Sequence, residues 1–256
     1  VYDNITFGEN AVFNITIPAD AYGNVTIAIE GSNSITVAAY GGLNTVYITN
    51  LPVGEYNVTV RYVGNYKYLP NATKVMKLKV GPAVPKDGFV VEDLGNRTVR
   101  VTVPDNATGN ITIKIGNNVY NATLNNSVAY IDLVNETPGV KLANVTYSGD
   151  ATHSNMTINN KVITIPKYQT NMTISVNDTV VGNVTRIIVN ISENITDNVT
   201  IEIDGIKYSA AVNANGQVIF DVENLTAGNK TVTAIYAGDA NYLFNATTAN
   251  FASLDR

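Results

Sequence analysis

The sequence predicts an all-β chain of three tandem β-sandwiches set in an elongated rod, and three observations predict it. A glycine-bracketed stretch returns three times, as Gly54 to Tyr68, Gly139 to His153 and Gly228 to Tyr242. Inside it residues alternate: Tyr56, Val58, Val60 and Tyr62 share one parity, and Glu55, Asn57, Thr59 and Arg61 share the other. That period of two marks a half-buried strand. No stretch of useful length carries helical periodicity.

In every copy the first glycine precedes a tyrosine by eight positions (Tyr62, Tyr147, Tyr236). A second glycine follows (Gly64, Gly149, Gly238), and then Asn65, Asp150 or Asp239. Glycine accepts positive φ and Asn or Asp bonds its own backbone, so the strand ends in a tight turn. The copies begin 85 and 89 residues apart, a spacing that suits a sandwich of roughly 100 residues or slightly fewer. The predicted domains are 1–81, 82–167 and 168–256.

In the first, Asn4 to Phe7 opens as a strand, Phe13 to Ile17 alternates and ends at Pro18, and Asn24 to Ile29 is the third. Ile35 to Ala39, Val46 to Ile48, the repeated strand and Lys74 to Val80 complete it. The second follows the same order. Val101 to Pro104 matches Ile15 to Pro18, Gly109 to Ile113 matches Gly23 to Ile27, and Val119 to Leu124 and Val128 to Leu133 come next. In the third, Val189 to Ser192 has Ser where the others have Pro, before Asp197 to Ile201, Ile206 to Val212 and Gln217 to Val222. The connectors 81–88 and 165–169 are short, and the first is rich in proline and glycine, which limits hinge motion.

The chain has 256 residues, 45% hydrophobic and 14% charged, with net charge −5. No cluster of Lys and Arg is present to neutralise phosphates, so no nucleic-acid partner is expected. There is no cysteine, hence no disulfide, zinc thiolate or thiol nucleophile. No apolar run is long enough to span a bilayer. The chain reads as a segment of a longer polypeptide, with membrane or cell-wall anchoring supplied by parts outside it.

Roughly two dozen Asn-x-Thr/Ser triplets mark candidate N-glycosylation acceptors, among them Asn14, Asn57, Asn110, Asn198 and Asn245. Alternation alone makes such triplets, because Asn and Thr then both face outward. Asn is nevertheless a poor strand former, and a neutral surface would favour Thr, Lys or Glu.

The run L-x-x-G-x-(Y/K)-x-V-x-V-x-Y-x-G-(D/N)-x-x-Y resembles the tandem Ig-like repeats of prokaryotic surface proteins. With its Asn/Thr richness and lack of cysteine, the chain is especially similar to adhesin-like proteins of methanogenic archaea. The resemblance implies Ig-like sandwiches in an extracellular, cell-surface stalk or adhesin, with no catalytic residues. Lys141 and Lys230 stand where the first copy has Tyr56, so a corner hydrogen bond at Tyr56 would have no tyrosine counterpart there.

Other residues carry candidate chemistry. Tyr62, Tyr66 and Tyr68 form a candidate aromatic contact patch for a sugar or a protein. Lys141 and Lys230 fall on the inward parity, where a buried lysine beside an acid is a candidate nucleophile for a Lys–Asn isopeptide bond. No cofactor is expected. Calcium is the cation candidate, at Asp20, Asp105 or Asp197, although no EF-hand-type loop is present. His153 is the sole histidine and occupies a turn position held by tyrosine elsewhere, which argues against a catalytic triad. The expected function is a non-enzymatic adhesin or stalk segment, a monomeric rod whose partner is a surface protein or glycan of another cell. The alternative is a carbohydrate-binding or calcium-dependent accessory module of a larger surface enzyme.

Overall fold

The computed structural model describes residues 4–104, 106–192 and 194–255, and all their regular structure is β. The first stretch forms one six-stranded sheet from β1 (Ile5–Thr6), β2 (Ala11–Ile29), β3 (Ile35–Ile48), β4 (Gly54–Tyr62), β5 (Asn71–Ala72) and β6 (Met76–Gly81). The strand order is β1-β6-β4-β2-β3, with β5 on β4. Pro18 does not end a strand: β2 runs through it, and β3 likewise joins two predicted strands. The register places Ile17 opposite Gly42 and then Tyr22 opposite Tyr40, so residues 18–21 bulge against Gly41. A bulge leaves no ladder position for the missing proline N–H to fill. The bend brings both arms of β2 around one core. Ala11, Phe13 and Ile17 come from one arm, and Val25, Ile27 and Ile29 from the other, closed by Val58, Val60, Leu78 and Val80. Each of the Val, Ile, Leu and Phe side chains contributes roughly 1.5–3 kcal/mol by leaving water.

The second stretch contains β7 (Val90–Asp93), β8 (Thr98–Thr102), β9 (Asn110–Ile115), β10 (Asn118–Thr123), β11 (Val128–Asp132), β12 (Gly139–Tyr147) and β13 (Met156–Ile165). The third contains β14 (Met172–Val176), β15 (Thr179–Val180), β16 (Thr185–Ile191), β17 (Asn198–Ile203), β18 (Ile206–Ala211), β19 (Gln217–Val222), β20 (Gly228–Tyr236) and β21 (Asn245–Leu254). Sheets β10-β9-β12-β13 and β11-β8-β7 in the second correspond strand for strand to β18-β17-β20-β21 and β19-β16-β14 in the third, where β15 adds an edge to β21. Pro104 and Ser192 here do fall where one strand stops, β8 and β16 respectively. Strands β7, β14, β5 and β15 have no counterpart in the sequence reading. They lack a long alternating run, and their pairing partners define them.

The chain packs as two compact units. One holds residues up to Leu94, with Thr98–Leu133 and Lys141–Ile163; the other holds Gly95–Arg97, Val134–Val140 and the chain from Thr164 onward. Within the second unit, the Arg97 guanidinium lies 3.7 Å from the Tyr168 ring centre and donates to the Glu136 carbonyl at 2.9 Å, while the Tyr168 hydroxyl donates to the Val134 carbonyl at 2.8 Å. Such stacking suits a planar cation taken out of water. Among the described residues, no helix is long and apolar enough to cross a membrane.

Candidate functional site

The turn that closes each repeated strand is built the same way three times. Asn65 Oδ1 accepts the N–H groups of Lys67 and Tyr68, both at 2.8 Å. Asp150 Oδ1 accepts those of Thr152 and His153 at 2.7 Å, and Asp239 Oδ1 those of Asn241 and Tyr242 at 2.6 Å. The preceding glycines Gly64, Gly149 and Gly238 have φ of +83°, +77° and +81°, and a Cβ on any of them would sit 2.7–2.8 Å from backbone atoms. Only glycine fits both demands. Burial alone would raise the Asp150 carboxyl. The N–H groups of Thr108, Thr152 and His153 outweigh it and hold the group well below the usual carboxylate range. Asp239 is likewise held low, against burial, by Tyr242 and Asn241.

The tyrosines beneath these turns occupy matching strand ends. Tyr147 and Tyr236 are fully buried and Tyr62 is half-buried on the core. The Tyr62 hydroxyl donates to the Tyr22 carbonyl at 2.7 Å, and the Tyr147 hydroxyl to the Thr108 carbonyl, its counterpart, at 2.8 Å. The Tyr236 hydroxyl pairs with no carbonyl among the described residues. Burial, with the Asp239 carboxylate beside it, pushes it above the usual phenol range.

What differs is the residue at the turn's tip. The first turn presents Tyr66, 87% exposed, where the others have Ala151 and Ala240. Its ring centre lies 6.1 Å from that of Tyr22, with the planes tilted by 51°. Tyr22 is itself 49% exposed, and directly across the ladder from it stands Tyr40, 69% exposed. Cross-strand partners share a face. At these two positions the other segments have Thr108 and Thr196, and Asn125 and Asn213.

All three ring-bearing residues are held by their backbones. The Tyr22 carbonyl accepts from both Tyr62 Oη and Asn65 Nδ2, the latter at 3.0 Å. Asn44 receives the Tyr40 N–H at 3.1 Å and donates to its carbonyl at 2.8 Å. Tyr66 sits inside the Asn65 turn. Beside them Asp20 pairs with Lys67 and accepts the Tyr68 hydroxyl, and these two bonds hold its carboxyl below the ordinary range.

The structure thus separates the three tyrosines that the sequence groups. Tyr62 and Tyr68 pack on the core, whereas Tyr66 stands with Tyr22. Sequence reasoning missed Tyr22 and Tyr40, because only the β2–β3 register and the bend bring them to this surface. The signal available was their absence from the matching positions of the other two segments.

Asn14, Asn110 and Asn198 are exposed, and Asn14 and Asn110 accept cross-strand hydroxyls from Thr45 and Thr123. Asn57 and Asn245 are half-buried, and their amides donate to Glu30 and to the Thr170 carbonyl. Lys230 is 7% exposed, and its Nζ reaches Asp204 Oδ2 at 2.6 Å and Thr226 Oγ1 at 2.7 Å, so its amine faces a carboxylate and a hydroxyl. Lys141 is half-buried. Tyr56 does make the corner bond, to the Pro52 carbonyl at 2.7 Å, and Lys230 reaches Thr226 at the position matching Pro52. Asp197 is exposed, and Asp105 lies outside the described residues. Among the described residues no three His, Asp or Glu side chains gather as a metal site. His153 is 7% exposed, with Nδ1 3.3 Å from Asp150 Oδ1.

This geometry defines an Ig-like all-β chain with an exposed aromatic surface on its first stretch. Residues 169–254 match the family model of the bacterial Ig-like domain (group 3), and the shared strand order extends that topology to the second stretch. Solved structures of similar fold include part of a 1.5-MDa bacterial ice-binding adhesin, at 15% identity and TM-score 0.29, covering 98% of this chain and 93% of that one. The I9–I11 tandem of titin matches at 10% identity and TM-score 0.29, covering 99% and 96%. The D1–D4 ectodomain fragment of ICAM-5 matches at 14% identity and TM-score 0.36, covering 98% and 73%. Likenesses at this level carry no inference about ligand. No curated protein matches the sequence.

Proposed function

We propose that this chain is a non-enzymatic, extracellular segment of a cell-surface adhesin or stalk, folded as Ig-like sandwiches over 1–81, 82–167 and 168–256, and that it makes its contact through Tyr22, Tyr40 and Tyr66. One observation carries the reading. The same locked turn occurs three times, and only in the first does an exposed ring stand at its tip and at the two ladder positions beside it, those of Tyr22 and Tyr40. The fold therefore does not need those rings, since Thr, Asn and Ala serve at the matching positions. A tyrosine ring has only two side-chain torsions to lose on binding, which favours exposed tyrosines as contact residues. The partner is a surface protein or glycan of another cell.

The test is capture of candidate cells on a surface coated with the purified chain, competed by the soluble chain. Saturable, competed capture supports an adhesive segment. Capture no greater than on an uncoated surface would reduce the segment to a spacer.

A further inference from the structure

Resting on that reading, we infer that the surface formed by Tyr22, Tyr40 and Tyr66 takes a neutral oligosaccharide, with sugar rings laid on the tyrosine faces. The aromatic pair is small. Its centroids stand 6.1 Å apart and its planes tilt by 51°, which makes a shallow cradle about one sugar ring wide. A stable protein contact needs about 800 Å² from each partner, far more than this ring pair presents. A pyranose has an apolar C–H face and hydroxyl edges. The tyrosine π face is electron-rich and attracts such polarised C–H groups, while phenol hydroxyls at the ring ends meet the sugar hydroxyls.

Charge points the same way. Asp20 and Lys67, the ionic groups beside the cradle, are paired with one another, so neither is left over for an ionic ligand. The chain's net charge of −5 disfavours polyanions further. Stacked nucleobases would need a basic groove for their phosphates. Tyr40, across the ladder from Tyr22, extends the platform along β3, which argues for an oligosaccharide over a single sugar. Asn44 and Asn65 fix the backbone from which Tyr40 and Tyr22 project, so the spacing of the platform is set before a ligand arrives. A site of this kind reaches useful affinity with few direct hydrogen bonds.

The experiment titrates the whole chain with neutral hexaoses of glucose, mannose and galactose, preceded by a neutral glycan array and accompanied by a sulfated oligosaccharide. Binding is read by calorimetry and by NMR of the tyrosine rings. The variants Tyr22→Thr, Tyr40→Asn and Tyr66→Ala import residues that the other segments already carry, so their unfolding midpoints should match the parent's. The expected result is saturable binding of at least one neutral glycan, weakened about tenfold or more by Tyr66→Ala and abolished in the triple variant. No neutral glycan bound, a preference for the sulfated probe, or a triple variant that binds like the parent would each overturn the saccharide assignment. Cell capture that still depends on the three tyrosines, with no glycan bound, would overturn the ligand class and leave the adhesive reading standing. Capture independent of them would remove both.

Discussion

One side-chain oxygen closes the turn after each repeated strand, accepting two successive backbone N–H groups. Because Asn65 does this as well as Asp150 and Asp239, hydrogen bonding is the essential property and charge is not. Asp239→Asn should cost less than about 1 kcal/mol, while Asp239→Ala strands the N–H groups of Asn241 and Tyr242 and should cost roughly 1–3 kcal/mol. Urea unfolding of the two variants measures the difference. Gly64→Ala, Gly149→Ala and Gly238→Ala each combine a left-handed backbone with a backbone collision and should lose at least about 1–3 kcal/mol.

Charge matters only to the pH response. The folded Asp150 carboxyl is held below its unfolded value, so it binds its proton less readily when folded. Its contribution is complete above the ordinary carboxylate pKa of about 3.9 and is lost as the pH falls below that toward the folded value. Acid should therefore lower the thermal midpoint below about pH 4, and Asp150→Asn should flatten that slope. Glycans belong at this scale too. We propose that they attach to the exposed Asn14, Asn110 and Asn198 in preference to the half-buried Asn57 and Asn245, whose amides already donate to Glu30 and to the Thr170 carbonyl. Peptide mass mapping of material from its native cells reads this directly; occupancy concentrated on Asn57 and Asn245 would contradict it.

At the scale of elements, alternation and the glycine brackets made most strands legible, including the repeated one in all three segments. The β2–β3 bend was not legible. Pro18 looks like a terminator in sequence because it lacks an N–H, and only the register shows that nothing opposite requires one. In the second segment Pro104 follows a strand's end in the same local setting, so the outcome depends on what lies across the ladder, which alternation does not encode. Gly41 is the residue on which the bend turns. Its Cβ would fall 1.8 Å from the Ala19 carbonyl oxygen, whereas a Cβ on Gly42 meets nothing within 4 Å. Gly41→Ala should thus cost about 3 kcal/mol or more. Gly42→Ala, with only its positive φ against it, should cost roughly 1–2 kcal/mol. Thermal unfolding separates the two.

For the whole molecule, the repeat gave the class of fold, and the low charge and absence of cysteine narrowed the chemistry. The proposed contact surface was half legible. Tyr66 stood out, but its neighbours in sequence, Tyr62 and Tyr68, turn toward the core, and the ring that joins it, Tyr22, comes from a distant strand. Proximity along the chain was a poor guide because β4 ends at Tyr62 and the turn beyond it sends Tyr66 and Tyr68 different ways, while the ladder pairs residues remote in sequence. Internal comparison does better: Ala151 and Ala240 show what the turn requires, and Tyr66 shows what was added. The most direct test is cell capture by the Tyr22→Thr, Tyr66→Ala double variant at matched thermal midpoint. Capture should fall by about tenfold or more with stability unchanged; capture equal to the parent's would show that these tyrosines make no contact.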